Sequence, residues 1–351
     1  MIRPSVAFTM TSFAPVPLLL GAAFGAEIWA WVALIYLTVF AFLLDELIGA
    51  VADPEKEFPA ADYLSIVLGI AHFVVLGCVI WRFGLGITAS HGIALFLAAG
   101  LFMGQIGNAN AHELIHKTQR GLHRLGKWVY ISLLFGHHTS AHALVHHRYV
   151  ASLQDPNTAR FGESYYRFIL RAWKGSFYAG LAAESARHDG RKHPYVEYTF
   201  GALMTLIAAF SIGGWSGGLI FLGLAVFAQM QLLMSDYVQH YGLTRASVGD
   251  RLEPVGPQHS WNAPHVFSSH MLLNAPRHSA HHTKPSTGFN ALDLPDPGDA
   301  PMLPYSLPAM SVIALVPPLW RHVIDPRLAY WQTRPLSTWQ LDAEDGLTAG
   351  V

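Results

Sequence analysis

Long apolar runs separated by short polar or glycine-containing breaks dominate this chain. Phe13–Ala26, Ile28–Leu44, Tyr63–Trp81, Ile93–Gly107, Tyr198–Ile212 and Leu219–Met234 hold few ionisable residues, and a helix needs about 20 such residues to cross a bilayer. The pattern predicts six spans, at about 13–26, 28–48, 63–82, 92–111, 198–213 and 218–238. Turns at Gly25–Glu27, Phe83–Gly92 and Gly213–Gly218 pair them into hairpins, and the proline-containing, charged stretch Ala52–Asp62 breaks the helix before the third span. Trp128–Phe135 and Met310–Trp320 are apolar but too short to cross, so they are expected to pack on the bundle or lie at its interface. The expected fold is all-α and polytopic: one integral-membrane domain over 1–351, with polar segments at 112–197 and 239–351.

Composition agrees with this pattern. Of 351 residues 52% are apolar and 13% charged, about half the charged share of a soluble chain. The single cysteine, Cys78, excludes disulfides within the chain, paired-cysteine redox motifs, iron–sulfur clusters and cysteine-based zinc sites. Any electrons the chain uses must come from outside it.

Positive charge is distributed unevenly. Only Arg3, Lys56 and Arg82 precede residue 112, whereas Lys117, Arg120, Arg124, Lys127 and Arg148, then Arg160, Arg167, Arg171, Lys174, Arg187, Arg191 and Lys192, crowd the segment between the fourth and fifth spans. Lys and Arg concentrate on the cytoplasmic side, so that segment, both termini and the tail after Met234 are expected there. No cleavable leader is expected, because Met1–Thr11 carries one arginine and the next apolar run turns directly into another span.

The histidines are grouped. His112 and His116 stand four apart, His142 and His146 repeat that spacing with His147 adjacent, and His278, His281 and His282 form a third group. His240 lies at the end of the sixth span. Side chains four apart share one face of a helix and can reach one metal. The expected topology places all four groups on one side of the membrane. Nine convergent imidazoles exceed one metal's capacity, whereas two metals taking four or five nitrogens each would use them all. Imidazole suits zinc, copper, iron and nickel alike. His123, His137, His138, His259, His265 and His270 lie near these groups and are expected to be structural or to support the ligands.

These residues resemble the integral-membrane desaturase and hydroxylase superfamily, and within it the alkane monooxygenase branch. That branch is marked by boxes similar to HELxHK, EHxxGHH, NYxEHYGL and LQRHSDHH, which here read His112–Lys117, Ala141–His147, Asp236–Leu243 and Ala275–His282. The His240-Tyr241-Gly242 element separates the branch from acyl desaturases. The resemblance extends through 162–168 and Ser260-Trp261-Asn262 to Pro317-Pro318-Leu319-Trp320 and Asp325-Pro326-Arg327. This chain departs at Ala141, Val145, Asp236, Gln239, Pro276 and Ala280; the nitrogen ligands stay and the outer shell changes. Glu113, Asp155 and Asp236 remain as carboxylates that would orient ligating histidines.

The resemblance implies a membrane monooxygenase that holds two irons on these nine histidines, consumes O2 and hydroxylates a terminal C–H bond of an alkane or similar apolar molecule. The same chemistry would serve an aromatic methyl group, a terpenoid or a fatty acyl chain. It implies rubredoxin or ferredoxin with a reductase as electron source, a bacterial inner-membrane location, and no nucleic-acid partner. Trp29, Trp31, Tyr36 and Phe40 in the second span are candidates to line a substrate channel. Lys117, Arg120, Arg124, Lys127 and Arg148 are candidates to dock an acidic carrier, or else reflect only the charge bias of the cytoplasmic side. Other readings fit less of the chain. A zinc protease built on His112-Glu113 and His116 leaves seven clustered histidines idle, an acyl desaturase lacks the His240-Tyr241-Gly242 element, and a metal transporter would carry ionisable residues in mid-span.

Overall fold

The computed structural model describes residues 3–49, 60–187, 190, 192–248 and 251–333. Lys56, Arg191, most of the Ala52–Asp62 loop and the tail from 334 to 351 lie outside the described residues. The chain is mostly helical. Four long helices, α1 (Ser5–Phe24), α2 (Ile28–Ile48), α3 (Ala61–Gly84) and α4 (Ala89–Ile115), come first. They are followed by α5 (Arg120–Ser132), α6 (138–149), α7 (Tyr165–Ala186) and the 47-residue α8 (Pro194–His240). Four more helices among the described residues complete the order: the short α9 (Val266–Met271), α10 (His278–Thr283) and α11 (Leu307–Ala314), and the longer α12 (Pro317–Thr333). By length and apolarity α1 to α4 and α8 are able to cross a membrane, which makes five candidate helices among the described residues.

The fifth is a hairpin. A straight α-helix would set Gly201 and Gln229 about 42 Å apart. Yet a Cβ on Gly201 would strike Ile131, and Gln229 Nε2 donates to the Leu133 carbonyl at 2.6 Å. The chain reverses at Gly214, the non-helical residue inside α8, whose φ of 57° a residue with a Cβ rarely adopts. Gly213 and Gly217 let the bend sit on α3, since a Cβ on either would come within 2.8 Å of the Ile80 carbonyl.

The helix ends sort to two faces. Phe8 near the start of α1 packs on His270 and Phe289, and Asp45 near the end of α2 accepts the Ser268 N–H. Lys117 just past α4 pairs with Asp62 at the start of α3, and Lys127 pairs with Glu197 at the start of α8. The segments after α4 and after α8 therefore form one cap on one end of the bundle. At the opposite end, Glu27 accepts hydrogen bonds from Thr88 and Ser90, tying the two turns together.

The first span begins earlier than the apolar run at Phe13 indicates. Thr9, Thr11 and Ser12 donate their hydroxyls to the carbonyls of Ser5, Ala7 and Phe8, so the helix itself satisfies the groups that made this stretch read as polar. α2 is the outermost span, 28% buried, and α4 the most central, 67% buried. α5 and α11 bury Val129, Tyr130 and Met310 against the bundle, as expected for apolar stretches too short to cross.

Candidate metal centre

Three π-helical turns, Tyr36–Phe40, Phe102–Gly107 and His142–His146, interrupt the helices. Such turns hold an extra residue and often mark functional sites. In α6 the extra residue re-aims the histidines. The ring nitrogen that meets that of His142 belongs to the fifth residue on, so His142 Nε2 lies 2.8 Å from His147 Nε2. His142 and His146, four apart and with ring centroids 5.2 Å apart, turn their Nε2 atoms to different clusters.

The nine imidazoles form two clusters, and within each the candidate ligand atoms lie within 4.8 Å of one another. The first joins His112 and His116 of α4, His142 and His147 of α6, and His281 of α10. His142 Nε2 sits 2.7 Å from that of His112 and 3.1 Å from that of His116, and His281 Nε2 is 3.1 Å from that of His147. The second joins His146, His240, His278 and His282; His278 Nε2 is 3.0 Å from the Nε2 atoms of both His240 and His282. The α10 group is split, with His278 and His282, four apart on one face, in the second cluster and His281 in the first. The rings of His147 and His282, 4.6 Å between centroids, bring the clusters side by side.

This donor set fits two cations. A neutral imidazole Nε2 offers one proton or one lone pair. His142 Nε2 has three Nε2 neighbours, those of His112, His116 and His147, and cannot bond them all. Burial, reinforced by neighbouring imidazoles, pushes His142, His147, His278, His281 and His282 well below the usual histidine range and His116 to about 4. These six rings are therefore neutral. Buried lone pairs crowded in this way repel each other unless a cation sits among them.

The supporting shell is uneven. Asp155 accepts from His146 Nδ1 at 2.8 Å and from Thr158 and the Asn157 N–H. Burial disfavours charge on both partners, but their attraction outweighs it, lowering the Asp155 pKa and raising that of His146. His240 Nδ1 lies 3.4 Å from the His259 carbonyl. Among the described residues, the buried Nδ1 atoms of His142 and His147 behind the first cluster, and of His282 behind the second, have no partner. Glu113 pairs with Lys117 at 2.8 Å, and Asp236 accepts from Asn157 at 2.6 Å. Of the three carboxylates, Asp155 is the one bonded to a clustered histidine.

A cavity of about 290 Å³ leads to both clusters. Its floor carries His112, His142 and His278; its walls are α4, the second arm of α8, and α11. On α4 the lining residues Leu101, Gly104, Gln105, Asn108, Ala109 and His112 form one helical stripe. That stripe is legible in the sequence as two amides, Gln105 and Asn108, on the His112 face of an apolar run, and sequence reasoning passed over it.

Trp29, Trp31, Tyr36 and Phe40 do not line this cavity. Trp29, Trp31 and Phe40 are exposed on the outside of the bundle, and Tyr36 bonds the Thr11 carbonyl. Of the candidate docking cations, Arg120, Arg124 and Arg148 are exposed, whereas Lys117 and Lys127 are partly buried in ion pairs.

The fatty acid desaturase family model matches residues 88–314. The chain is 32% identical to alkane 1-monooxygenase 1 of Pseudomonas aeruginosa, over 86% of this chain and 84% of that protein. It is 31% identical to an alkane 1-monooxygenase of Pseudomonas putida, over 85% and 74%. A xylene/toluene monooxygenase hydroxylase component of Pseudomonas putida is 27% identical over 64% and 61%. With its apolar helices and paired histidine clusters, the chain is an integral-membrane member of the fatty acid desaturase family and belongs there with the alkane 1-monooxygenases.

Proposed function

We propose that this protein is a membrane monooxygenase that inserts one atom of O2 into a terminal C–H bond of an alkane or similar apolar molecule. The observation that carries the reading is the apolar cavity whose floor is His112, His142 and His278, one or two members of each cluster. The first cluster would hold one iron and the second another. Bound iron supplies the O2 chemistry that no side chain offers. Two electrons and two protons complete the balance: R–H + O2 + 2e− + 2H+ gives R–OH + H2O.

The chain's own work is placement. The walls of the cavity hold the substrate's hydrocarbon and exclude water, and α4 and α10 present their imidazoles from rigid helices, so little reorganisation is needed. Asp155 keeps the His146 proton on Nδ1 and leaves Nε2 free to ligate.

The remaining parts of the reading follow the same logic. α8 contributes two crossings and the single domain six, in a bacterial inner membrane with the basic cap and both termini in the cytoplasm; the abundance of Arg and Lys between α4 and α8 supports this orientation. Rubredoxin or ferredoxin, reduced by a reductase, docks on the cap where Arg120, Arg124 and Arg148 are exposed. The likeness to the xylene/toluene monooxygenase component makes aromatic methyl groups the second substrate class to try.

The test is elemental analysis of protein purified in nanodiscs, with Mössbauer spectra of iron-57-grown material and an oxygenation assay on alkanes and xylenes. Two irons per chain and a product carrying one oxygen from labelled O2 are expected. One zinc, no iron and no labelled product would end this reading.

A further inference from the structure

One lining residue of the cavity fits a pure hydrocarbon poorly. Gln105 Oε1 is buried and has no hydrogen-bond donor, and among the described residues its Nε2 meets no acceptor either. The other amides there are engaged: Asn108 Nδ2 donates to the Gly104 and Ala228 carbonyls, and Gln239 Nε2 to the Ala275 carbonyl. Gln231 lies against Gly104, beside Gln105. Its Nε2 donates to the Gly100 carbonyl at 2.9 Å, but its Oε1 also lacks a donor. Among the described residues, two amide oxygens without donors thus line a chamber that is otherwise mostly apolar.

A buried amide left unpaired is costly, and an alkane cannot relieve that cost. A hydroxyl can, because it both donates to an amide oxygen and accepts from an amide N–H. Gln105 precedes His112 by seven residues on the same stripe of α4, which sets them on the order of 10 Å apart along the helix axis. A hydroxyl held at Gln105 would lay a medium-length chain down the stripe, with its far end at the histidines.

We propose that Gln105, with Gln231 beside it, anchors the polar end of an amphiphilic substrate, a hydrocarbon bearing a hydroxyl about 10 Å from the carbon that is oxidised. The inference rests on the monooxygenase reading above. Its reaction has the same balance: the alkanol, O2, two electrons from the soluble carrier and two protons give a diol and water. Gln105 acts here as a positioning and specificity residue.

The experiment uses the full chain in nanodiscs and two readouts. The first is photolabelling by an octanol carrying a diazirine, competed with octanol or octane at matched concentrations in the bilayer. The second is the ratio of kcat/KM for octanol to that for octane. In the wild type octanol should displace the label about tenfold better than octane, the margin of one buried hydrogen bond. In Gln105→Leu that advantage should vanish and the kcat/KM ratio should fall about tenfold through KM, with the metal count unchanged. Gln105→Met, closer in length to glutamine, serves if the leucine variant fails to insert.

An octanol-to-octane ratio that is the same in wild type and variant, by both readouts, overturns the anchoring role. Failure of the parent reading looks different: the wild type would oxidise neither compound, while the label competition still judges Gln105.

Discussion

The two histidine clusters are neighbours built to different standards. The second has four members, all buried, two of them supported from behind, His146 by Asp155 and His240 by the His259 carbonyl, while the His282 Nδ1 has no partner among the described residues. The first has five, three of them only partly buried, and among the described residues the Nδ1 atoms of His142 and His147 lack partners. A ligand fixed by a second hydrogen bond holds its tautomer and direction; one without it can turn. The comparison therefore assigns tight retention to the four-histidine cluster, which has no ligand to spare. Adaptability goes to the five-histidine cluster, which has one extra and supplies His112 and His142 to the cavity floor.

Single-ligand removal gives the sharpest test. His240→Ala should drop the metal content by one ion per chain and bring hydroxylation to background. His116→Ala leaves four imidazoles in its cluster, and should keep both ions with weakened affinity. Metal analysis after gel filtration separates the two outcomes. Equal losses from both variants would erase the distinction between the clusters.

Asp155→Asn comes next. The asparagine keeps the shape but removes the charge that favours His146 donating from Nδ1, so the affinity of the second cluster should fall about 10- to 100-fold. Competition with a chelator, read separately for each ion, checks this. The first cluster should hold its ion as before, because no carboxylate of this kind stands behind it.

Much of this contrast could not be read from the sequence. Spacing alone gathers nine histidines into groups, because residues four apart share a helical face. It does not reveal which of them meet. The π-helical turn at His142–His146 makes the fifth residue the neighbour, so His142 joins His147 while His146 goes to the other cluster. Nothing in His142-Ala143-Leu144-Val145-His146 announces that turn. The five candidate helices follow from apolar length, and the reversal at Gly214 from a glycine cluster. Which side of an apolar helix faces lipid does not follow, since both sides are apolar. Trp29, Trp31, Tyr36 and Phe40 therefore read as channel candidates in the sequence and do not line the cavity. Polar residues within a span carry more information, and Gln105 and Asn108 mark the face of α4 that lines the cavity.

Filling the cavity probes the comparison from the substrate side. Ala109 lies between Gln105 and His112 on the lining stripe. Ala109→Phe should lower hydroxylation of a long alkane by roughly 10-fold or more, with a smaller effect on a short one, while both ions stay bound. Assays across a series of chain lengths, with metal counted in parallel, give the answer. Loss of an ion would show that the wall and the five-histidine cluster are mechanically one unit.

The smallest effect is expected one layer further out, behind the second cluster. Glu253 accepts from His259 Nε2 at 2.9 Å and from the Ala246 N–H at 2.8 Å, and the His259 carbonyl faces His240 Nδ1. Burial alone would raise the Glu253 pKa; the His259 and Ala246 hydrogen bonds outweigh it and lower the pKa from 4.5. A depressed carboxyl pKa means stabilisation that is complete above the ordinary value and lost as pH falls through the folded one. Glu253→Gln should therefore lower the Tm of the metal-free protein by about 2 °C near neutral pH, the modest size reflecting a partly exposed group. The gap between variant and wild type should close as the pH drops below 4.5. A gap that stays constant down to acid would place the support of His240 in the 251–259 backbone, with no share from the Glu253 charge.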